Sequence, residues 1–344
     1  MTRDRERYSE REIKDKVKLC DDEGRLNPDA VGWSKQPIYR CNLSGSWPRK
    51  KKWNYWSITG PDCLFSVTVS NVDYVGLVFM YFLDFKTEEF LYRSIIVPFG
   101  RGCSLPETVN ETVEFKHREM LVSFIHHGSQ VKIKVECPDI QGRELKADLC
   151  VSYPEGHETI NVVIPWSSKK FQFTSKQECL PVSGTMNIGK KNYYFETENS
   201  FGCLDFGRGI WPYRVSWNWA NASGKVDGRC IGLNLGAKWT DGTGMTENGF
   251  IIDGRVTKLS ENIIFDYNSS DLMKPWTIKT AVTDRVDLVF TPFFKRVDIT
   301  DLLFVKTEMN QLIGTFSGTI KTDSDETIAI EELTGCSEEH YGRW

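Results

Sequence analysis

The sequence predicts an all-β fold of two tandem antiparallel β-barrels behind a short helical N-terminal lead, divided as residues 1–30, 31–180 and 181–344. Three observations predict it. Apolar and polar residues alternate with period two over most of the chain, as half-buried strands require. Well over a dozen such segments follow one another with no helical pattern between them, which excludes doubly wound α/β folds. The chain has 344 residues, about twice what one eight-stranded lipocalin-type barrel needs.

The lead is charged, and "SEREIKDKVKL" is its one stretch compatible with a helix. In the first barrel "MLVSFIHHGSQVKIKVEC" reads as a hairpin turning at Gly128 and Ser129. It sets Val131, Ile133 and Val135 on one face and Lys132, Lys134 and Glu136 on the other. The barrels are expected to part near Cys179 to Gly184. In the second, "NGFIIDGRVTKL" turns at Asp253-Gly254, a pair suited to a type I′ turn, and "QLIGTFSGTIKT" with "TIAIEEL" forms another hairpin around "DSDE". Two internal echoes, "WNYWS" from Trp53 with "WNWA" from Trp217, and "FGRG" at Phe99 and Phe206, have different offsets and so define no single repeat.

With 43 Lys plus Arg against 47 Asp plus Glu, the net charge of −4 argues against nucleic acid as a partner. The basic run from Arg49 to Lys52, flanked by Trp47 and Trp53, reads as a solvated loop before a strand, or as a transient contact with a membrane surface. No stretch has the apolar length of a transmembrane segment, and "MTRDRERYSEREIKDK" lacks the core of a signal peptide, so a cytoplasmic location is expected. Ten scattered cysteines without any C-x-x-C pair are expected to be reduced and buried, and no metal site is read. His126 and His127 are neighbours on a strand and point to opposite faces.

Hydrolase elbows, zinc-protease helices, nucleotide loops and dinucleotide fingerprints are all missing, so no cofactor is expected. What stands out is "FGRGIWPYRVSWNWA", from Phe206. Alternation puts Tyr213, Val215, Trp217 and Trp219 on one face and Arg214, Ser216, Asn218 and Ala220 on the other. The indoles serve equally as core or as a ligand platform. Arg208, between Gly207 and Gly209 and just after Asp205, is expected on a bending loop that places a functional group. "GAKWTDGTGMTEN" offers Asp241 and Glu247, and the terminal "SEEHYGRW" offers Glu338, His340 and Arg343, either as a frayed tail or as a barrel cap with a proton donor.

These segments together resemble a bacterial family defined as a domain of unknown function, number 2804. The resemblance covers nearly the whole chain. It rests on "LCDDEGRLNPDAVGWSKQP" from Leu19, "KKWNYW" from Lys51, "PFGRG" from Pro98, the stretch from Phe206, "GLNLGAKWTDGTGMTEN" from Gly232, "MKPW" from Met273, "FTPF" from Phe290 and "EEHYGRW" from Glu338. The plan is also similar to the calycin-like double-lipocalin superfamily of tocopherol cyclase, carotenoid hydratases and several natural-product cyclases. That likeness is architectural and implies no catalytic residue here.

The expected function is binding of a hydrophobic small molecule of lipid, isoprenoid or fatty-acyl type in a barrel cavity, with possible cofactor-free, acid-assisted cyclisation, hydration or isomerisation. Such chemistry needs a carboxylic acid kept protonated and aromatic faces for developing cationic charge. Glu247, Asp205, Glu338 and His340 are the candidate proton donors. Trp211, Trp217 and Trp219 are the candidate wall, and Arg101, Arg208, Arg214, Asn218, Asp241 and Arg343 the candidate polar ligand contacts. Two alternatives stand: a non-catalytic lipid carrier and a carbohydrate-active β protein. A carboxylate paired with arginine would favour the carrier, a solitary buried carboxyl the enzyme, and two carboxyl groups in an open groove the sugar reading.

Overall fold

The structure is a computed structural model that describes residues 9–302 and 305–344. Its described residues form two curled antiparallel sheets, each a half-barrel, plus a short parallel pair. The hairpins form as expected: Gln130 pairs with His127, and Val131, Ile133 and Val135 are buried while the alternate residues are exposed. At the Asp253-Gly254 turn both residues have positive φ, 49° and 79°, as a type I′ turn requires.

The first sheet has 13 strands. Its main path runs Phe90–Pro98, Val75–Asp84, Cys63–Asn71, Lys50–Thr59, Phe201–Ile210, Lys170–Ile188, Arg143–Ser152, Gln130–Ile140, Met120–His127 and Val113–His117. The second has nine, centred on Arg214–Val226, Thr327–Arg343, Val305–Lys321 and Val286–Leu302. Phe201–Ile210 sits between Lys50–Thr59 and Lys170–Ile188, so it closes the first sheet although it follows residue 180. The chain passes between sheets at 211–213, whereas the expected split near 180 falls inside the continuous strand Lys170–Ile188.

The N-terminal lead is extended rather than helical. Ile13 N–H donates to Trp33 O and Leu19 N–H to Arg40 O, while Val17–Lys18 pairs with Tyr39–Arg40. Leu19 and Cys20 are buried by this pairing, which outweighs a weak local helix preference.

The concave side of each sheet is filled by side chains. Trp56, Phe65, Phe82, Phe124, Phe173 and Phe206 belong to the first core. Leu233, Phe250, Trp276, Phe290 and Phe316 belong to the second. The sheets also meet through their outer faces, and this seam has its own character. Tyr55, Tyr81, Cys203, Trp219 and Cys336 bury there, continuing into a tryptophan-rich cluster around Trp211.

Candidate functional site

Strand alternation explains what enters the seam. On Arg214–Val226, Ala220 and Ala222 face the second core, so Trp217, Trp219, Asn221 and Ser223 face the first sheet. On Phe201–Ile210, Leu204, Phe206 and Ile210 face the first core, so Cys203 and Asp205 face the seam. Lys170–Ile188 contributes Gln172, Thr174, Lys176 and, within a bulge between Gln177 and Leu180, Glu178. The two sheets thus press polar residues together away from water.

Lys176 bridges two of the expected acids. Its Nζ lies 3.1 Å from Asp205 Oδ2 and 3.1 Å from Glu247 Oε2, and 4.3 Å from the centre of the Trp219 ring. Burial alone would lower the ammonium's pKa, but the two carboxylates outweigh it and hold it above the usual lysine range. Glu247 is raised by burial, which the Lys176 charge only partly offsets. Thr174 Oγ1 donates to Asp205 Oδ1 at 3.1 Å, and Trp239 Nε1 donates to Glu247 Oε1 at 2.7 Å. The acids are therefore paired, with lysine rather than arginine.

Glu338 is differently placed. It accepts from Trp217 Nε1 at 2.8 Å and Gln311 Nε2 at 3.0 Å, and burial pushes its pKa up to about 7. His340 stacks on Trp217 with ring centroids 3.7 Å apart, and burial lowers its pKa to about 3. Burial thus disfavours the imidazolium form that the expected role of His340 as proton donor needs. The terminal segment is neither frayed nor a cap, because it completes the 17-residue strand Thr327–Arg343 at the centre of the second sheet.

Glu178 carries no sequence signal, yet it is fully buried. Ser223 Oγ donates to its Oε2 at 2.8 Å and Cys203 Sγ to its Oε1 at 3.1 Å, and burial raises its pKa to about 8. Glycine makes room for both seam acids on Arg229–Ala237. A Cβ at Gly232 would lie 2.4 Å from Glu178 Cβ, and one at Gly236 would lie 2.0 Å from Glu247 Oε1.

Arg208 is not on a bending loop. Neither Gly207 nor Gly209 has positive φ, and Arg208 lies mid-strand with its side chain fully buried on the first-core face. Its guanidinium donates to Pro106 O (2.9 Å), Trp53 O (2.7 Å), Gly207 O (2.8 Å) and Asn54 Oδ1 (2.8 Å). Burial lowers its pKa to about 9, which leaves it charged at neutral pH. The flanking glycines serve close approach: a Cβ at Gly207 would lie 2.1 Å from the Trp53 indole and one at Gly209 2.1 Å from Gln172 Oε1.

Beside the indole cluster a surface cleft of about 330 Å³ is walled by Trp166, Trp239 and Tyr341 and rimmed by Arg214, Lys238 and Asp241. Two expected contacts, Arg214 and Asp241, therefore line one cavity. Asp241 Oδ1 also accepts from Lys238 N–H at 3.2 Å, fixing the turn that carries Trp239. Behind this wall Trp211 is the hub of the indole cluster, 5.2 Å from Trp166, 5.7 Å from Trp53 and 6.0 Å from Trp217, centre to centre. Trp239, facing the cleft and bonded to Glu247, separates the cavity from the Lys176 charge cluster.

The remaining expected residues lie apart. Trp219 bonds to Asn234 within the seam. Asn218 turns into the second sheet, donating to Tyr267 Oη and Glu338 O, both at 3.2 Å. Arg101 is exposed in the turn after Phe90–Pro98, and half-buried Arg343 is registered between Arg214 and Lys306. The basic run is not a solvated loop: Lys51 is buried over the Tyr74 ring, 4.6 Å from its centre, and burial lowers its pKa to about 7. Sequence reasoning missed Lys176, Glu178, Trp166, Trp239 and Tyr341. In "FQFTSKQECL" the residues around Lys176 and Glu178 are mostly polar, so both look solvent-facing and the sequence carries no hint of them.

A family model described as a domain of unknown function, DUF2804, matches residues 10–344. No curated protein matches the sequence. Among solved structures, an AttH-like protein from Nitrosomonas europaea is 11% identical, with 87% of this chain and 93% of that chain covered at a TM-score of 0.51. Kievitone hydratase from Nectria haematococca is 8% identical, with 87% and 90% covered at a TM-score of 0.45. At such identity the first likeness is one of fold.

Proposed function

Since the chain belongs to the DUF2804 family, whose function is unknown, its activity must be read from its site, and we propose that the tryptophan-walled cleft binds an amphiphilic small molecule. Its apolar, unsaturated or aromatic body would lie against Trp166, Trp239 and Tyr341, and its anionic head would meet Arg214 and Lys238. The observation that carries this reading is the cleft itself: aromatic walls with two cations at the rim, in a volume of about 330 Å³, the range of small-ligand sites.

Acid-assisted catalysis is the second reading, favoured by Glu338. It is buried with no cation among its hydrogen-bond partners, and its raised pKa keeps a proton available at neutral pH. The sugar-active reading finds less support, because a glycosidase needs two carboxyl groups and the cleft lining offers only Asp241.

The test is organic extraction of the purified protein with mass spectrometry, together with titration of a fluorescent fatty acid against tryptophan emission. Trp166→Ala and Arg214→Gln should each weaken binding about tenfold or more. Failure to recover or bind any apolar molecule, or equal affinity in both variants, would sink the reading. If Glu338→Gln retains binding but loses turnover of an extracted compound, catalysis stands over carriage.

A further inference from the structure

Strand registers gather one set of turns at a single end of the sandwich. Lys50 pairs with Ile210, Val75 with Pro98, Arg214 with Arg343, Arg343 with Lys306, and Leu302 with Val305. Tyr92 Oη reaches Asp298 at 3.4 Å and the Phe90 and Phe294 rings lie 5.2 Å apart, so the edge strand Phe90–Pro98 of the first sheet faces Val286–Leu302 of the second here. The turns at 45–49, 72–74, 98–102 and 211–213 therefore border one surface, beside the cleft.

This surface is apolar where folding gives no reason for it. Among the described residues the five most exposed large apolar side chains are Ile96, Tyr194, Trp47, Phe99 and Ile299, and only Tyr194 lies elsewhere. Phe99 is 64% exposed and has a φ of 55°, a left-handed conformation that a bulky residue avoids. It gains little burial in return for that strain. Cations share this end: Arg101 and Arg214 are exposed, and Arg49, Lys50, Lys306 and Arg343 are half-buried. Lys50 is bridged to Asp73 (3.3 Å) and Lys306 to Asp301 (3.5 Å), and Glu107 on the segment capping the first core is bridged to Arg40 (2.6 Å). Arg101 and Arg214 have no such carboxylate among the ion pairs of the described residues. On a chain of net charge −4 this is a local reversal of sign.

We propose that this end docks on an anionic lipid surface, with Trp47, Phe99 and Ile96 entering the headgroup region and Arg101 and Arg214 meeting lipid phosphate or carboxylate groups. Aromatic side chains favour that depth, because their rings are apolar enough to leave water and polarisable enough to stay near headgroups. Basic residues add attraction that salt screens. Docking needs no occupant in the cleft and does not rest on the small-molecule reading.

The experiment is co-sedimentation of the full chain with phosphatidylcholine vesicles, with and without about 30% phosphatidylserine. Expected is partitioning onto the anionic vesicles that declines with salt. A surface cation is worth about fivefold in partitioning, so Arg101→Glu should weaken it by about tenfold or more. Phe99→Glu should do the same, while Tyr194→Glu, at the opposite end, should bind as the parent does. All three side chains are exposed, so unchanged melting temperatures will show that the fold is intact. No partitioning onto either vesicle, or partitioning unaffected by Arg101→Glu and Phe99→Glu, overturns the proposal. So does concentration-dependent self-association that Phe99→Glu abolishes, which would assign the surface to a second copy of this chain. A docking failure beside a positive extraction would leave the cleft reading intact.

Discussion

Arg208 and Glu178 show two ways in which a buried charge is managed. Arg208 has no carboxylate among its hydrogen-bond partners; it is satisfied by three backbone carbonyls and Asn54. Removing it strands those acceptors inside the first sheet. Arg208→Ala should therefore cost more than about 3 kcal/mol in urea unfolding, without altering ligand affinity at the cleft in the folded fraction. Glu178 is managed by remaining neutral. Its pKa is about 8 in the folded protein, against about 4.3 for a free glutamate. A raised carboxyl contributes stability that is complete below the unfolded value and is lost as pH rises towards the folded one. Glu338, at about 7, has the same sign. His340, lowered to about 3, works oppositely, losing its contribution as pH falls. Comparing Glu178→Gln with the parent cancels such shared groups. The variant should gain on the parent by on the order of 3 kcal/mol between about pH 5 and 8, and a flat difference in melting temperature would refute the neutral-acid assignment.

At the scale of the element, Phe201–Ile210 and Arg229–Ala237 are strands whose glycines are chosen for proximity. Gly207 and Gly209 let Trp53 and Gln172 lie against the backbone, while Gly236 admits the Glu247 carboxylate. If Gly207 and Gly209 were instead hinges, alanine would be tolerated or even stabilising through the unfolded state. Close approach predicts the reverse. Gly207→Ala should destabilise by about 1–3 kcal/mol, read as a lower denaturation midpoint. Gly236→Ala should also displace Glu247, releasing Trp239 and raising the accessibility of its indole to acrylamide quenching. Unchanged quenching would separate Trp239 from the carboxylate it bonds.

Across the whole molecule the two half-barrels are joined by a seam that neither could expose alone. It holds Lys176, Asp205, Glu247, Glu178 and Glu338 together with Trp217, Trp219, Tyr55 and Tyr81. A fragment ending at residue 213 would bare this mixed face to water. It should bind a hydrophobic dye and lack a cooperative transition, unlike the intact chain. Period-two alternation determined the all-β class, the hairpins at Gly128 and Asp253, and which face of each strand is apolar, because those features depend on neighbours along the chain. Alternation also drew attention to the Trp217 strand and to Arg214, while loop and tail composition pointed to Asp241, Glu247 and Glu338. It did not reveal that Lys176 joins Asp205 to Glu247, that Glu178 is an acid held neutral, or that Arg208 faces a core. The first two outcomes depend on which outer faces meet, and the third on Phe201–Ile210 returning to the first sheet, which turns Arg208 towards its core. A residue pointing away from one core looks solvent-facing in sequence. Only tertiary structure decides whether water or a second sheet lies there, and that choice of surroundings fixes its charge state.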